Sequence, residues 1–172
     1  MKVRSTPGSR ESESPGIRDL VDQAKLAERE GRWSDAAVAY EILVRDPLAN
    51  EQTRLSALRW LGRVYLEQGN RGAAMDVLEA AVAAATQAGS PSKIAQALNV
   101  VAIVHQTSGD LDRAELIYRE ARATAESIRD SEAMAMIDQN LGTVASIRSM
   151  PSKNFKVATL TNGTRGMPRA AR

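Results

Sequence analysis

Three glycines, Gly31, Gly69 and Gly109, stand 38 and 40 residues apart and hold the same place in one repeated pattern. Gln23-Ala24, Leu61-Gly62 and Val101-Ala102 precede them. Ala36, Ala74 and Ala114 follow, then Tyr40, Leu78 and Tyr118, then Leu43, Ala81 and Ala121. Leu141-Gly142 opens a fourth copy. Self-similarity at a period of roughly 20–50 residues marks a stacked array rather than a single closed core. Each unit of such an array leaves an apolar face that only its neighbour can cover, so stability is shared along the stack.

Within each copy the apolar residues recur at helical spacing. Leu20, Ala24, Leu26 and Ala27 predict a helix running from Ile17 to Gly31, where a glycine suits the left-handed position after a helix. Trp33 opens the next, with Ala36, Ala37, Tyr40, Leu43 and Val44 as its stripe, and Asp46-Pro47 closes it. A second pair is predicted over 50–68 and 71–88, a third over 91–107 and 111–128, and one further helix over 131–148. Asn70 and Asp110 suit the capping position of the helices they precede. Small residues are expected where the two helices of a hairpin approach closely: Ala24, Gly62, Ala102 and Gly142 on first helices, Ala36, Ala74 and Ala114 on second helices. Tyr40, Leu78 and Tyr118 are expected to fill the seam between one hairpin and the next.

Composition narrows the chemistry. Hydrophobic residues make up 43% of the chain but aromatic ones only 3%, so the core is built from Ala, Leu, Val and Ile. The absence of cysteine and the single histidine exclude disulfides, thiolate metal sites and multi-histidine sites. No apolar run approaches bilayer-spanning length, and residues 1–16 lack the apolar segment of a secretory signal. A soluble, cytoplasmic protein without a membrane partner is expected. The net charge of +2 is unevenly spread. Residues 151–172 carry Lys153, Lys156, Arg165, Arg169 and Arg172 and no acid, residues 1–16 are +1, and residues 17–150 are therefore −4. A mildly acidic repeat region argues against a nucleic-acid partner. Residues 1–16, rich in Ser, Pro and charge, are expected to be disordered, residues 17–150 to form the repeat domain, and residues 151–172 to form a basic irregular tail.

The repeat resembles the tetratricopeptide repeat. Trp60-Leu61-Gly62-Arg63-Val64-Tyr65-Leu66-Glu67-Gln68-Gly69-Asn70, followed by Ala74, Leu78 and Ala81, matches that family's Leu-Gly, Tyr, Gly, Ala, bulky and Ala positions in order. The resemblance covers residues 17–150, with a weak first copy in which Gln23 and Ala27 replace the leucine and tyrosine. Its period is longer than the family's usual one and is similar to the variety found in kinesin light chains and bacterial signalling regulators. It implies an all-α, right-handed α-solenoid of antiparallel helix hairpins with about three and a half repeats. In the fourth copy the second helix finds no fitting residues near Asn154, Ala158 and Thr161. The array is therefore expected to stop within that repeat. Met134, Met136, Ile137, Leu141, Val144 and Ile147 are then expected to leave an apolar patch on the last helix, to be covered by the tail or, in preference, by a second copy or further repeats.

The resemblance further implies a protein–protein interaction module whose first helices line a concave groove for a peptide or partner helix. By register the inward positions are Arg18, Lys25, Glu28, Arg59, Arg63 and Glu67, then Gln96, Asn99, Ile103, Gln106, Gln139, Asn140 and Thr143. The peptide-binding set is taken as Lys25, Arg59, Arg63, Gln96, Asn99, Gln106, Gln139 and Asn140. The amides offer a donor and an acceptor each to an extended backbone, and Arg59 and Arg63, one turn apart, suit a carboxylate of a partly acidic ligand. The other reading of these residues is an ordinary solvated helix face. Val21, Trp60 and Val100 stand where the family's carboxylate-clamping variety needs polar residues, so that subtype is not expected. No cofactor, metal or catalysis is expected. His105 takes the repeat's tyrosine place without a catalytic partner, 69–72 is a helix–helix turn and not a phosphate loop, and Asp110 and Asp112 read as cap and first-turn acids. The alternative function is a regulatory or sensory piece of a larger signalling protein.

Overall fold

The computed structural model describes residues 14–149, which form seven helices: α1 (Pro15–Arg29), α2 (Trp33–Arg45), α3 (Glu51–Glu67), α4 (Arg71–Gln87), α5 (Pro91–Thr107), α6 (Leu111–Ser127) and α7 (Ser131–Ser149). Every helix packs on the one before it, and α3, α5 and α7 also touch in succession. The chain is thus an all-α solenoid of hairpins stacked in serial order. The long period has a simple origin. From α3 to α6 each helix has 17 residues and three residues separate each from the next. The first spacing is shorter because α2 has only 13 residues.

The turn chemistry explains where helices stop. Gly31, Gly69 and Gly109 have φ of 71°, 77° and 85°, the left-handed region that favours glycine. Gly89 takes the same conformation between hairpins, and Arg129, 40 residues later, is forced into it at φ 57°. A left-handed conformation costs a residue with Cβ about 1–2 kcal/mol, so Arg129→Gly is expected to raise thermal stability by up to about 1 kcal/mol, measured as a rise in Tm. Asn50, Asn70, Asp110 and Asp130 each cap the following helix by accepting from a backbone N–H at 2.8, 3.2, 3.1 and 3.0 Å. α1 begins at Pro15, capped by Ser14, so residues 14–16 of the stretch expected to be disordered start the first helix. Residues 1–13 and the whole tail 151–172, including Asn154, Ala158 and Thr161, lie outside the described residues.

The interior forms two buried clusters, one centred on α1–α3 and the other on α4–α7, with Tyr65 packed against both. The hairpin contacts follow one rule with two solutions. Tyr40 is fully buried and its hydroxyl donates to Glu28 of its own hairpin, while its ring meets Trp60 of the next at 5.5 Å. Tyr118 is fully buried and donates to Gln106 at 2.8 Å, again 12 residues back. In the second hairpin Leu78 replaces the tyrosine, and the residue 12 back is the apolar Leu66. These side chains therefore fill the inside of each hairpin as well as the seam. Gly62 serves the same hairpin: a Cβ there would lie 2.5 Å from Leu78 Cγ, so its close neighbour is Leu78. At Gly142 no neighbouring atom among the described residues lies within 4 Å of a Cβ built on it.

Among the described residues, Met136 is the one large apolar side chain of the last helix that is exposed. Ile137, Val144 and Ile147 are buried against the preceding helices, and Met134 and Leu141 are half-buried. Met136 is 44% exposed, but it lines the groove described below. The stripe that looked unpartnered is the one α7 needs to pack on α5 and α6. Its opposite face carries small or polar residues, Ala135, Asp138, Gly142 and Ala145. Arg122–Asp138 at 2.7 Å and Arg148–Glu115 at 3.1 Å tie α7 back to α6.

Candidate ligand groove

First helices α3, α5 and α7 lie side by side and enclose an open groove of about 570 Å³. Residues one turn apart on each helix share a face, so α3 contributes Arg59, Arg63 and Glu67, and α5 contributes Gln96, Asn99 and Ile103. Trp60, Leu66, Val100 and Met136 give it apolar surface. Asp130, just before α7, and Glu132, Ala133, Met136 and Asn140 on α7 form the third wall.

Five of the eight sequence-predicted residues line this groove: Arg59, Arg63, Gln96, Asn99 and Asn140. Asn140 Nδ2 donates to Asn99 Oδ1 at 2.9 Å, so those two amides are partly spent on each other across the repeat boundary. Lys25 stands at the rim, its Nζ 5.1 Å from the Trp60 ring centroid. Gln106 is used inside its hairpin by Tyr118, and Gln139 is exposed outside the groove lining. Glu28, also placed inward by register, is engaged by Tyr40.

The register reading missed several groove residues. Asp130, Glu132 and Met136 belong to the start of α7, where attention to the repeat's central turns did not reach. Trp60 and Val100, which argued against a carboxylate clamp, here form part of the groove wall. Lys93 was overlooked altogether. Its Nζ donates to Ser56 at 2.7 Å, and burial together with the nearby Arg59 holds its pKa below the usual lysine value.

Arg59 is electrostatically the least satisfied group. Burial, reinforced by Arg63, pulls its pKa below the ordinary arginine value. Its Nε is buried and has no hydrogen-bond partner. Among the described residues no carboxylate lies within ion-pair distance of Arg59, Arg63 or Lys93. The guanidinium does rest 5.4 Å from the Trp60 ring centroid, a contact that stabilises a cation without neutralising it. Elsewhere His105 Nδ1 sits 3.5 Å from Asp110 at the end of its helix, half-buried and remote from the groove lining. Among the described residues no cluster of three or more His, Cys, Asp or Glu could hold a metal ion, and no helix is long and apolar enough to cross a membrane.

Comparison with known proteins bears on this fold. Residues 53–127 match the model of the tetratricopeptide repeat family, whose members are in general protein–protein interaction modules. No curated protein matches the chain in sequence. The crystal structure of BtubC (BKLC) from P. vanneervenii superposes with a TM-score of 0.64 at 19% sequence identity, over 91% of this chain and 65% of that one. The chain thus spans less than two thirds of that protein's length, and the likeness is one of fold. Residues 53–127 thus carry the tetratricopeptide-repeat match, and the other described helices continue the same hairpin stacking on either side of them.

Proposed function

We propose that the chain is a protein-interaction module that takes a peptide segment with an acidic side chain into the groove of α3, α5 and α7. The observation that carries this reading is Arg59: a partly desolvated cation, beside a second arginine, with a buried Nε lacking a partner. Leaving such a group unpaired is costly, and an incoming carboxylate offsets that cost through charge-assisted hydrogen bonds. Gln96, Asn99 and Asn140 then face the ligand backbone with donors and acceptors, and Trp60, Val100, Ile103 and Met136 receive its apolar side chains. Catalysis has no part in this reading.

The test separates binding from folding. Short acidic peptides selected by display on the full chain are titrated against the wild type, Arg59→Ala and Arg63→Ala. A hydrogen bond to a charged group contributes about 1.5–3 kcal/mol, so each variant is expected to bind roughly tenfold or more weakly. Arg59→Ala removes a desolvated charge and is expected to keep or raise the Tm. Unchanged affinity in both variants would remove the arginines from the site.

A further inference from the structure

Resting on the groove reading above, we infer that the groove is electrically bipolar and takes a peptide with an acidic residue at one end and a basic residue at the other, in one fixed direction. The bases that line it stand on α3, and two of its three acids, Asp130 and Glu132, stand at the start of α7. α3 supplies Arg59 and Arg63, with Lys25 of α1 over Trp60 and Lys93 of α5 near Arg59, both outside the lining. Glu67 and the Tyr40-bound Glu28 offset only part of that charge. From the middle wall, α5, the lining residues Gln96, Asn99, Val100 and Ile103 are uncharged, and its Lys93 lies outside the lining, turned to Ser56 of α3. At the far wall stand Asp130 and Glu132.

The acids of the far wall exceed what a helix start requires. Asp130 caps α7 through Ala133 N and also accepts from Ser92 at 3.4 Å. The equivalent capping places of α3 and α5 are held by the neutral Asn50 and Ser90, and the place of Glu132 by Gln52 and Ser92. Glu132 is exposed and forms no ion pair among the described residues. Conversely, the places of Arg59 and Arg63 are held by Asn99 and Ile103 on α5 and by Gln139 and Thr143 on α7. Each pole is therefore a departure from the repeat, and the two departures carry opposite sign.

Geometry sets the spacing of the ligand's charges. Packed helices lie about 8–10 Å apart, so the poles on α3 and α7 are roughly 20 Å apart. An extended chain rises about 3.3 Å per residue, which separates the acid and the base by about six residues, with apolar side chains between them over Val100 and Met136. Like charge placed at the wrong pole opposes binding, so the arrangement selects direction as well as composition.

The probe is a displayed library of short random peptides, selected on the wild-type full chain and on Glu132→Lys. Glu132 is exposed, and the circular dichroism spectrum of the variant is expected to match the wild type. The expected wild-type consensus carries one acid and one base about six residues apart, always in the same order, and Glu132→Lys is expected to lose the base. A synthetic consensus peptide is expected to bind at least about tenfold more tightly than its charge-reversed counterpart. A consensus of acids alone, identical on both proteins, would overturn the bipolar assignment and leave the groove standing. Peptides whose binding is unaffected by Met136→Trp and Arg63→Glu together would place the ligand elsewhere, and would overturn the groove and the bipolar assignment alike.

Discussion

Tyr118→Ala is expected to lower the unfolding free energy by about 3–5 kcal/mol, the range for deleting a large buried aromatic. Tyr118 is fully buried in the cluster that joins Leu98, Val101 and Ala102 of α5 to Ile137 and Val144 of α7. Its loss opens a cavity between the third hairpin and the last helix. Domains of this size are typically stable by about 5–15 kcal/mol, so a large share of the folded state's margin is at stake. The stack localises the damage, because each hairpin is held chiefly by its neighbours. Hydrogen exchange is expected to accelerate most in α5–α7 and least in α1 and α2, and the denaturant midpoint is expected to fall. Tyr118→Phe removes only the donor to Gln106 and is expected to cost about 0.5–1.5 kcal/mol. Equal losses from the two variants would mean that the hydroxyl, and not the ring, holds the seam.

The period was legible because a stacked array repeats its backbone needs. The turn inside each hairpin takes a left-handed residue, so glycine recurs, and most helix starts are capped by a side-chain acceptor, so Asn70 and Asp110 recur. Arg129 hid the equivalent turn before α7, since its left-handed conformation leaves no trace in the residue type. The groove was half legible for a related reason. Register places Arg59, Arg63, Gln96, Asn99 and Asn140 on one wall-forming face, but register cannot tell whether a side chain is spent on its own hairpin. Gln106 is consumed by Tyr118 in this way. Counting charges on α7 could not show how much of its apolar stripe serves the helices before it, as Ile137 and Val144 do. Asp130 and Glu132 escaped notice because a helix-start acid has a ready local explanation in capping and the helix dipole.

Gly62→Ala and Gly142→Ala, at equivalent places in the repeat, are expected to change stability in opposite directions. At Gly62 the added methyl meets Leu78 Cγ at 2.5 Å and Cδ2 at 2.7 Å, and Leu78 is fully buried with no free space to retreat into. Overpacking of this kind costs about 1–3 kcal/mol, against a gain of about 1 kcal/mol in helix propensity. A net loss of up to about 2 kcal/mol is expected from these terms. At Gly142 the methyl meets nothing within 4 Å among the described residues, so a propensity gain of about 1 kcal/mol is expected there. Denaturant midpoints of the two variants, measured side by side, check the sign. The hairpins also contain their own rescue. Where the first helix carries Ala24 or Ala102, the second carries a tyrosine, and the residue 12 before that tyrosine is Glu28 or Gln106. Where it carries Gly62, the bulky residue is the branched Leu78 and its partner place is Leu66. A leucine branches at Cγ, close to the facing helix, while a tyrosine ring is flat and can pass beside a methyl. Gly62→Ala combined with Leu78→Tyr and Leu66→Gln is therefore expected to recover most of the stability that Gly62→Ala loses. A triple variant no more stable than the single one would show that the three residues are not a unit, and that the second hairpin is spaced by something other than its glycine.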